Sequence, residues 1–402
     1  MRKILFAVIG CFSAICAQAA QIANLDYVHK SIQQKWDITI PIKADSPMQA
    51  ANMKYLLTAV DVANEILNGE KTTDYGNGEF ATLQAADTVA TIQAVETLVR
   101  KIDKGPEFTL TTTPDTSSFS FSISAAGEFV VDWGDGTVET ITKPDTTDTT
   151  YTHNYDTANT YTIGLSGQAT AYNFSKYTAA ISFRVGSNTS AKETNVKKIA
   201  SIDGSLGAIF GTLTRSAYNQ PQFYETFSGA SNITCSIPAK LFTGISGAPA
   251  EDMFRSTFSN CSGLTSIPAG LFAGRSGAPA PLMFDSTFSG CSGLTSIPSD
   301  LFAGISSNPA SHMFRFTFKN CSGLTSIPEN LFGNISGTAQ YQMFEGMFMG
   351  CTSLTGPSAR INGQYLYEIW PTYPGWFYGA YIGCTGLSDY ATMPTMWKTD
   401  DD

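Results

Sequence analysis

Three groups of residues in this 402-residue chain have types and spacing that could do chemistry. The first is a column of thiols: Cys261, Cys291, Cys321 and Cys351 keep a constant step, and Cys384 comes after an insertion. Stacked copies would bring their Cα atoms to about 5 Å, inside disulfide range, and an even number of cysteines remains beyond residue 19, as befits an exported disulfide protein. Equivalent positions in a stack point the same way, however, which suits thiols filling a small apolar slot. The thiol ladder is favoured and the disulfide stays open; zinc is remote, because no Cys-x-x-Cys pair or histidine accompanies the column.

The second group is Asp132-Trp133-Gly134-Asp135-Gly136, with His153 and Tyr155 downstream. Two carboxylates three residues apart fall below the oxygen count calcium requires. Asp-Gly supplies the positive φ of a tight hairpin and Trp133 can fill a core, so a structural hairpin is favoured over a metal site. The third group is the aromatic insertion Tyr365, Tyr367, Trp370, Tyr373, Trp376, Phe377, Tyr378 and Tyr381. Aromatic platforms stack on sugars and serve as interface hot spots, and a glycan or protein ligand could bind there. The competing role, a cap of bulky side chains over the end of a repeat array, is favoured.

Catalysis is not indicated. The histidines are His29, His153 and His312, none in a nucleophile or zinc motif, and no phosphate-binding loop or nucleophile elbow occurs. Between Phe223 and Gln342 six acidic and five basic residues are scattered by the repeat and do not pair for glycosidic work. The net charge of -10, with no basic run longer than Lys197-Lys198, excludes a phosphate-backbone footprint and hence a nucleic-acid partner. No cofactor or metal is expected.

The elements that must position these groups begin after an export signal. Arg2 and Lys3, an apolar stretch from Ile4 to Ala14 and the exit Ala17-Gln18-Ala19 form a signal peptide over residues 1–19. The rival is a lipoprotein box at Val8-Ile9-Gly10-Cys11, and its apolar run is short. No stretch reaches the about 18 apolar residues a membrane helix needs, and Asp400-Asp401-Asp402 carries no anchor signal. The expected location is therefore outside the cell, secreted or at the cell surface.

Residues 20–105 read as α-helical. Met53, Leu56, Leu57, Val60, Ala63 and Leu67 recur at helical spacing until Asn68-Gly69, and Val89, Ile92, Val95, Val99 and Ile102 repeat the pattern up to Gly105-Pro106. This helical hairpin is a small α-domain or, alternatively, a means of self-association. Residues 106–200 alternate in strand fashion, as in Phe119-Ser120-Phe121-Ser122-Ile123, which predicts a β-sandwich.

Residues 201–402 hold the strongest signal. Met253-Phe254, Met283-Phe284, Met313-Phe314 and Met343-Phe344 recur with the cysteine step, and Cys-Ser-Gly-Leu-Thr-Ser-Ile-Pro returns at 261, 291 and 321. Such a period means a solenoid of coils that bury Leu264, Leu294, Leu324 and their neighbours only by stacking. Leu-Thr-Ser-Ile is the expected parallel strand. Arg255, Asp285, Arg315 and Glu345, alternating in sign, should form a surface charge ladder worth a few tenths of a kcal/mol per pair.

Two stretches resemble known families. The Trp-Gly-Asp-Gly hairpin with His153-Asn154-Tyr155 resembles a PKD (polycystic kidney disease) domain, which implies an immunoglobulin-like sandwich. The Phe-x-x-Cys-x-x-Leu-x-x-Ile unit resembles the BspA-like leucine-rich repeats of bacterial surface proteins, with a unit of 30 residues in place of the family's shorter one. Together they imply a multidomain, non-enzymatic surface protein, adhesin-like, that binds a host or matrix protein through the solenoid. The alternatives are carbohydrate binding through the aromatic insertion and a structural role in the cell envelope.

Overall fold

The computed structural model describes residues 106–399 apart from 174, 214–219, 235, 276–277, 306–307, 334 and 372–375. The export signal, the helical region, His29, Cys235 and Tyr373 lie outside the described residues. Contacts divide the chain into two units, Met1–Pro106 with Val138–Thr140, and Glu107–Thr137 with Ile141–Asp402; the second holds most of a sheet region and a stack of coils.

The sheet region is mostly antiparallel, compatible with a β-sandwich. Strands β1 (Phe108–Thr112), β2 (Thr116–Ile123), β3 (Ala126–Asp132), β4 (Val138–Lys143), β5 (Thr149–Asn159), β6 (Thr162–Ala171), β7 (Ile181–Ser182) and β8 (Ile199–Gly204) form two sheets. One has the order β4-β3-β6-β1-β8 and the other β5-β2-β7. Alternation places Phe108 and Leu110 of β1, Phe119 and Phe121 of β2, Phe129 and Val131 of β3, and Ile163 and Leu165 of β6 in the core, each contributing about 1.5–3 kcal/mol. Strand β8 spans the boundary expected at residue 200 and pairs β1, with Leu110 opposite Ile202. Between β7 and β8 lies helix α1 (Thr189–Val196), capped by the Asn188 side chain on the Ala191 N–H. Its Asn195 amide donates to the carbonyls of Ser120 and Phe183 at 2.8 and 2.9 Å.

From Phe223 onward the chain winds in coils that lie on one another. The backbone from Asp252 to Cys261 shows how. The N–H groups of Phe254, Ser256, Phe258 and Asn260 donate to the carbonyls of Met283, Asp285, Thr287 and Ser289 in the next coil, at 2.6–3.0 Å. Those of Arg255, Thr257, Ser259 and Cys261 close turns onto Asp252, Phe254, Ser256 and Phe258. Alternate residues thus bond outward and inward, and no amide of the segment is left over. The geometry needs a left-handed residue every fourth position, at Asp252, Ser256 and Asn260, with φ of 58, 53 and 59°. Asn320, Gly290 and Gly350 suit that region; Leu282 and Phe316, at φ of 58 and 54°, adopt it against their bulk.

This corrects the expected strand. Leu-Thr-Ser-Ile carries one inter-coil bond per copy, Thr295 N–H to the Thr265 carbonyl at 3.4 Å and its equivalents at Thr325 and Thr355. The reason is local: the Leu264 N–H is spent on the Cys261 carbonyl, and Pro268 has none to give.

Side chains stack in the same register. Phe254, Phe284, Phe314 and Phe344 form one column with centroids 5.5–5.8 Å apart, and Phe258, Phe288, Phe318 and Phe348 a second at 5.4–5.7 Å. Each pair adds about 0.5–1.5 kcal/mol beyond its buried area. Both ends of the stack are closed by something that is not a coil. At the first, Ala180 and Phe183 around β7 donate to Gln222 and Thr226, and Phe183 stacks on Phe227 at 5.2 Å. At the last, Gly379 and Tyr381 donate to Met396 and Trp397 of a 3-10 turn (Thr395–Trp397).

Candidate interaction face

The cysteine column is a set of free, buried thiols. Each donates backward to a phenylalanine carbonyl: Cys261 to Phe227, Cys291 to Phe258, Cys321 to Phe288, Cys351 to Phe318 and Cys384 to Phe348, at 3.0–3.2 Å. Burial pushes the thiols of Cys261, Cys321 and Cys384 up to about 12, and those of Cys291 and Cys351 upward as well. A thiol held protonated is neither nucleophile nor metal ligand. The column acts with the buried Thr257, Thr287 and Thr317 hydroxyls, which bond the carbonyls of Phe223, Phe254 and Phe284. Leu264, Leu294 and Leu324 are buried beside it.

In the hairpin motif both carboxylates are committed to turns. Asp132 Oδ1 accepts from the Gly134 N–H and Asp135 Oδ1 from the Thr137 N–H, each at 2.9 Å, while Gly134 and Gly136 take φ of 82 and 95°. Asp135 Oδ2 lies 2.7 Å from His153 Nε2, whose ring stacks on Trp133 at 5.0 Å. Tyr155 donates its hydroxyl to the Trp133 carbonyl at 2.9 Å. Partial burial acts to raise the Asp135 pKa, but the bonds from His153 and Thr137 outweigh it and hold the carboxyl below the usual range. The site is a fastener joining the hairpin to β5, and no group of three metal-ligating side chains occurs among the described residues.

The aromatic insertion is divided between core and rim. Trp370 is 4% exposed and donates Nε1–H to the Gly337 carbonyl; Phe377 and Tyr381 are fully buried and stack toward Trp397 at 4.5 and 6.0 Å. Tyr365, Tyr367, Trp376 and Tyr378 are half-buried. Tyr365 and Tyr367 stack at 5.0 Å, and the Tyr367 hydroxyl bonds Asp389, which also receives the Ser358 N–H and hydroxyl. Trp370 is therefore packed within the last coils and is not displayed as a platform.

The more open arrangement is a ribbon along the left-handed segments. The column of Arg255, Asp285 and Arg315 begins on Tyr224 by register. Asp285 accepts from Arg255 Nε and Arg315 Nη2, both at 3.0 Å, and Arg255 also holds Asp252 at 3.2 Å. The expected charge ladder exists here over its first three positions, Arg255, Asp285 and Arg315, with one correction: Asp285 is 1% exposed, so the three form a buried clamp and not a screened surface contact. Beyond the clamp, the Arg255 guanidinium lies over the rings of Tyr177 and Tyr224 at 5.0 and 5.8 Å. Arg184 from the sheet region pairs with Glu225 at 3.0 Å. Toward the other end Phe316 takes a place that is Ser256, Ser286 or Gly346 in other coils, with Lys319 and Arg315 over its ring at 4.5 and 5.3 Å. His312 meets Tyr341 edge-on at 5.2 Å.

Sequence reading passed over Tyr177, Tyr224 and Phe316. Phe316 carried a signal, a bulky residue interrupting a column of small ones. Tyr177 had none, since only the fold brings it to Arg255. No family model, no curated protein and no solved structure matches the chain.

Proposed function

We propose that the protein is an exported, non-enzymatic surface interaction protein, adhesin-like, that binds a host or matrix protein through its repeats. In this reading the stack of coils is a BspA-like leucine-rich solenoid, and the two-sheet region is a PKD-like, immunoglobulin-like sandwich that closes its first end. The observation that carries the reading is the ribbon. The large apolar side chains exposed among the described residues are Val138, Tyr177 and Tyr341, and the two tyrosines stand near its ends. Between them lie arginines and aromatic rings, the composition of interface hot spots, on a backbone whose repeated bonds fix their spacing. No helix among the described residues is long and apolar enough to cross a membrane.

The test is a binding screen of the protein without residues 1–19 against immobilised matrix proteins and glycans, beside a Tyr177→Ser, Tyr341→Ser double variant. These side chains are 57 and 52% exposed, so the fold should tolerate the change. A loss of about tenfold or more in affinity for a protein ligand is expected. Unchanged protein binding would overturn the ribbon as the contact. Glycan binding lost instead on replacing Tyr365 and Trp376 would transfer the function to the rim of the insertion. Truncation before Phe377 is no substitute, because it removes the side chains that close the last coil.

A further inference from the structure

One core position of the coils is isoleucine in three copies, Ile245, Ile305 and Ile335, at 2, 1 and 4% exposure. In the remaining copy it is Arg275, which is buried just as deeply at 2%. Nη1 lies 3.9 Å from the Met253 sulfur, and Nη2 has no hydrogen-bond partner among the described residues. The buried acids of the neighbouring coils, Asp252 and Asp285, are engaged by Arg255 and Arg315, and no carboxylate among the described residues pairs with Arg275. Burial pulls its pKa down to about 10, which leaves it charged at neutral pH. A buried cation without a counter-charge is among the costliest groups a core can hold, and the other coils show that this position needs nothing polar.

We propose that Arg275 binds a small monovalent anion of the chloride class inside the stack. The class is set by the surroundings. A carboxylate on a macromolecular partner cannot reach a side chain so nearly covered. A divalent oxyanion would have to shed more hydration than one guanidinium beside Met253 can replace. The guanidinium is weakly hydrated and matches a weakly hydrated monovalent ion. The bound anion supplies the missing charge and couples the stability of the second coil to its concentration.

The experiment records thermal unfolding of the protein while sodium chloride replaces sodium gluconate at constant ionic strength. The Tm of the wild type should rise and saturate. Arg275→Ile, which restores the residue of the other coils, should not respond, and should melt above the wild type when chloride is absent; Arg275→Met is a second apolar replacement of similar length. Crystals soaked in bromide should show an anomalous peak within hydrogen-bond distance of Nη2. Parallel responses of wild type and both variants would overturn the proposal. So would variants that melt below the wild type in gluconate, because the arginine would then be stabilising without an anion.

Discussion

The two-sheet region and the stack of coils share one continuous core but are held by different logic. In the sheets each bond is particular: Phe119 faces His153 and Phe121 faces Tyr151 across β2 and β5, and Trp133 packs on Phe121 at 5.5 Å. In the coils one bond pattern is repeated, so that each coil is completed by the next and the ends must be closed from outside. The sheet region is thus more than a spacer before the repeats, since Ala180 and Phe183 supply the donors that the first coil's neighbour would have supplied. A defect in the sheets removes a unique contact, whereas a defect in the coils is felt by the copies on either side.

The largest expected effect tests that difference. Trp133→Ala and Phe288→Ala each remove a fully buried ring, at a cost of about 3–5 kcal/mol. Hydrogen exchange should place the losses apart: Trp133→Ala should expose β2, β3 and β5 while the last coils stay protected. Phe288→Ala should expose the coils containing Phe258 and Phe318, on which it stacks at 5.6 and 5.7 Å, and spare β6. Equal loss of protection throughout by either variant would break the comparison and make the unit one cooperative block.

The next effect concerns the clamp. Asp285→Asn leaves the Arg255 and Arg315 guanidinium groups, 18 and 23% exposed, without the carboxylate that joins them. A loss of about 3 kcal/mol is expected on chemical denaturation. A loss of a few tenths would return the ladder to the class of exposed ion pairs.

How far the sequence reveals such features depends on whether they are periodic. The stack is legible in the recurrence of Met-Phe and Cys, and so is the thiol ladder, because stacked equivalents cannot face each other. The place of the backbone ladder is not legible. Leu-Thr-Ser-Ile has the β-branched composition of a strand although its buried residues, Leu264 and Ile267, stand three positions apart, while the segment that bonds the coils demands left-handed residues that Leu282 and Phe316 do not advertise. The hairpin at Asp132 to Gly136 is legible because Asp-Gly has few other uses, yet its bond to His153 is not, since eighteen residues separate the partners. The ribbon joins Tyr177, from the connection between β6 and β7, to Arg255 in the second coil. No local pattern encodes that meeting.

The smallest effect sharpens the comparison from the sheet side, where the polar fastener has no repeated equivalent. Asp135 is held below the ordinary carboxyl value, with its opposing burial outweighed by the His153 and Thr137 bonds. A carboxyl whose folded pKa is depressed stabilises fully above its unfolded value and loses that contribution as pH falls through the folded one. Between neutral pH and about pH 5 the contribution is therefore constant, and it drains away below the ordinary carboxyl value of 3.8. At a site this open the amount is under about 1 kcal/mol. Acid titration of stability should then be shallower in Asp135→Asn than in the wild type below that value, with the difference seen in exchange from β3 and β5 and not in the coils. Identical slopes would mean that the His153 contact orders the hairpin without stabilising it.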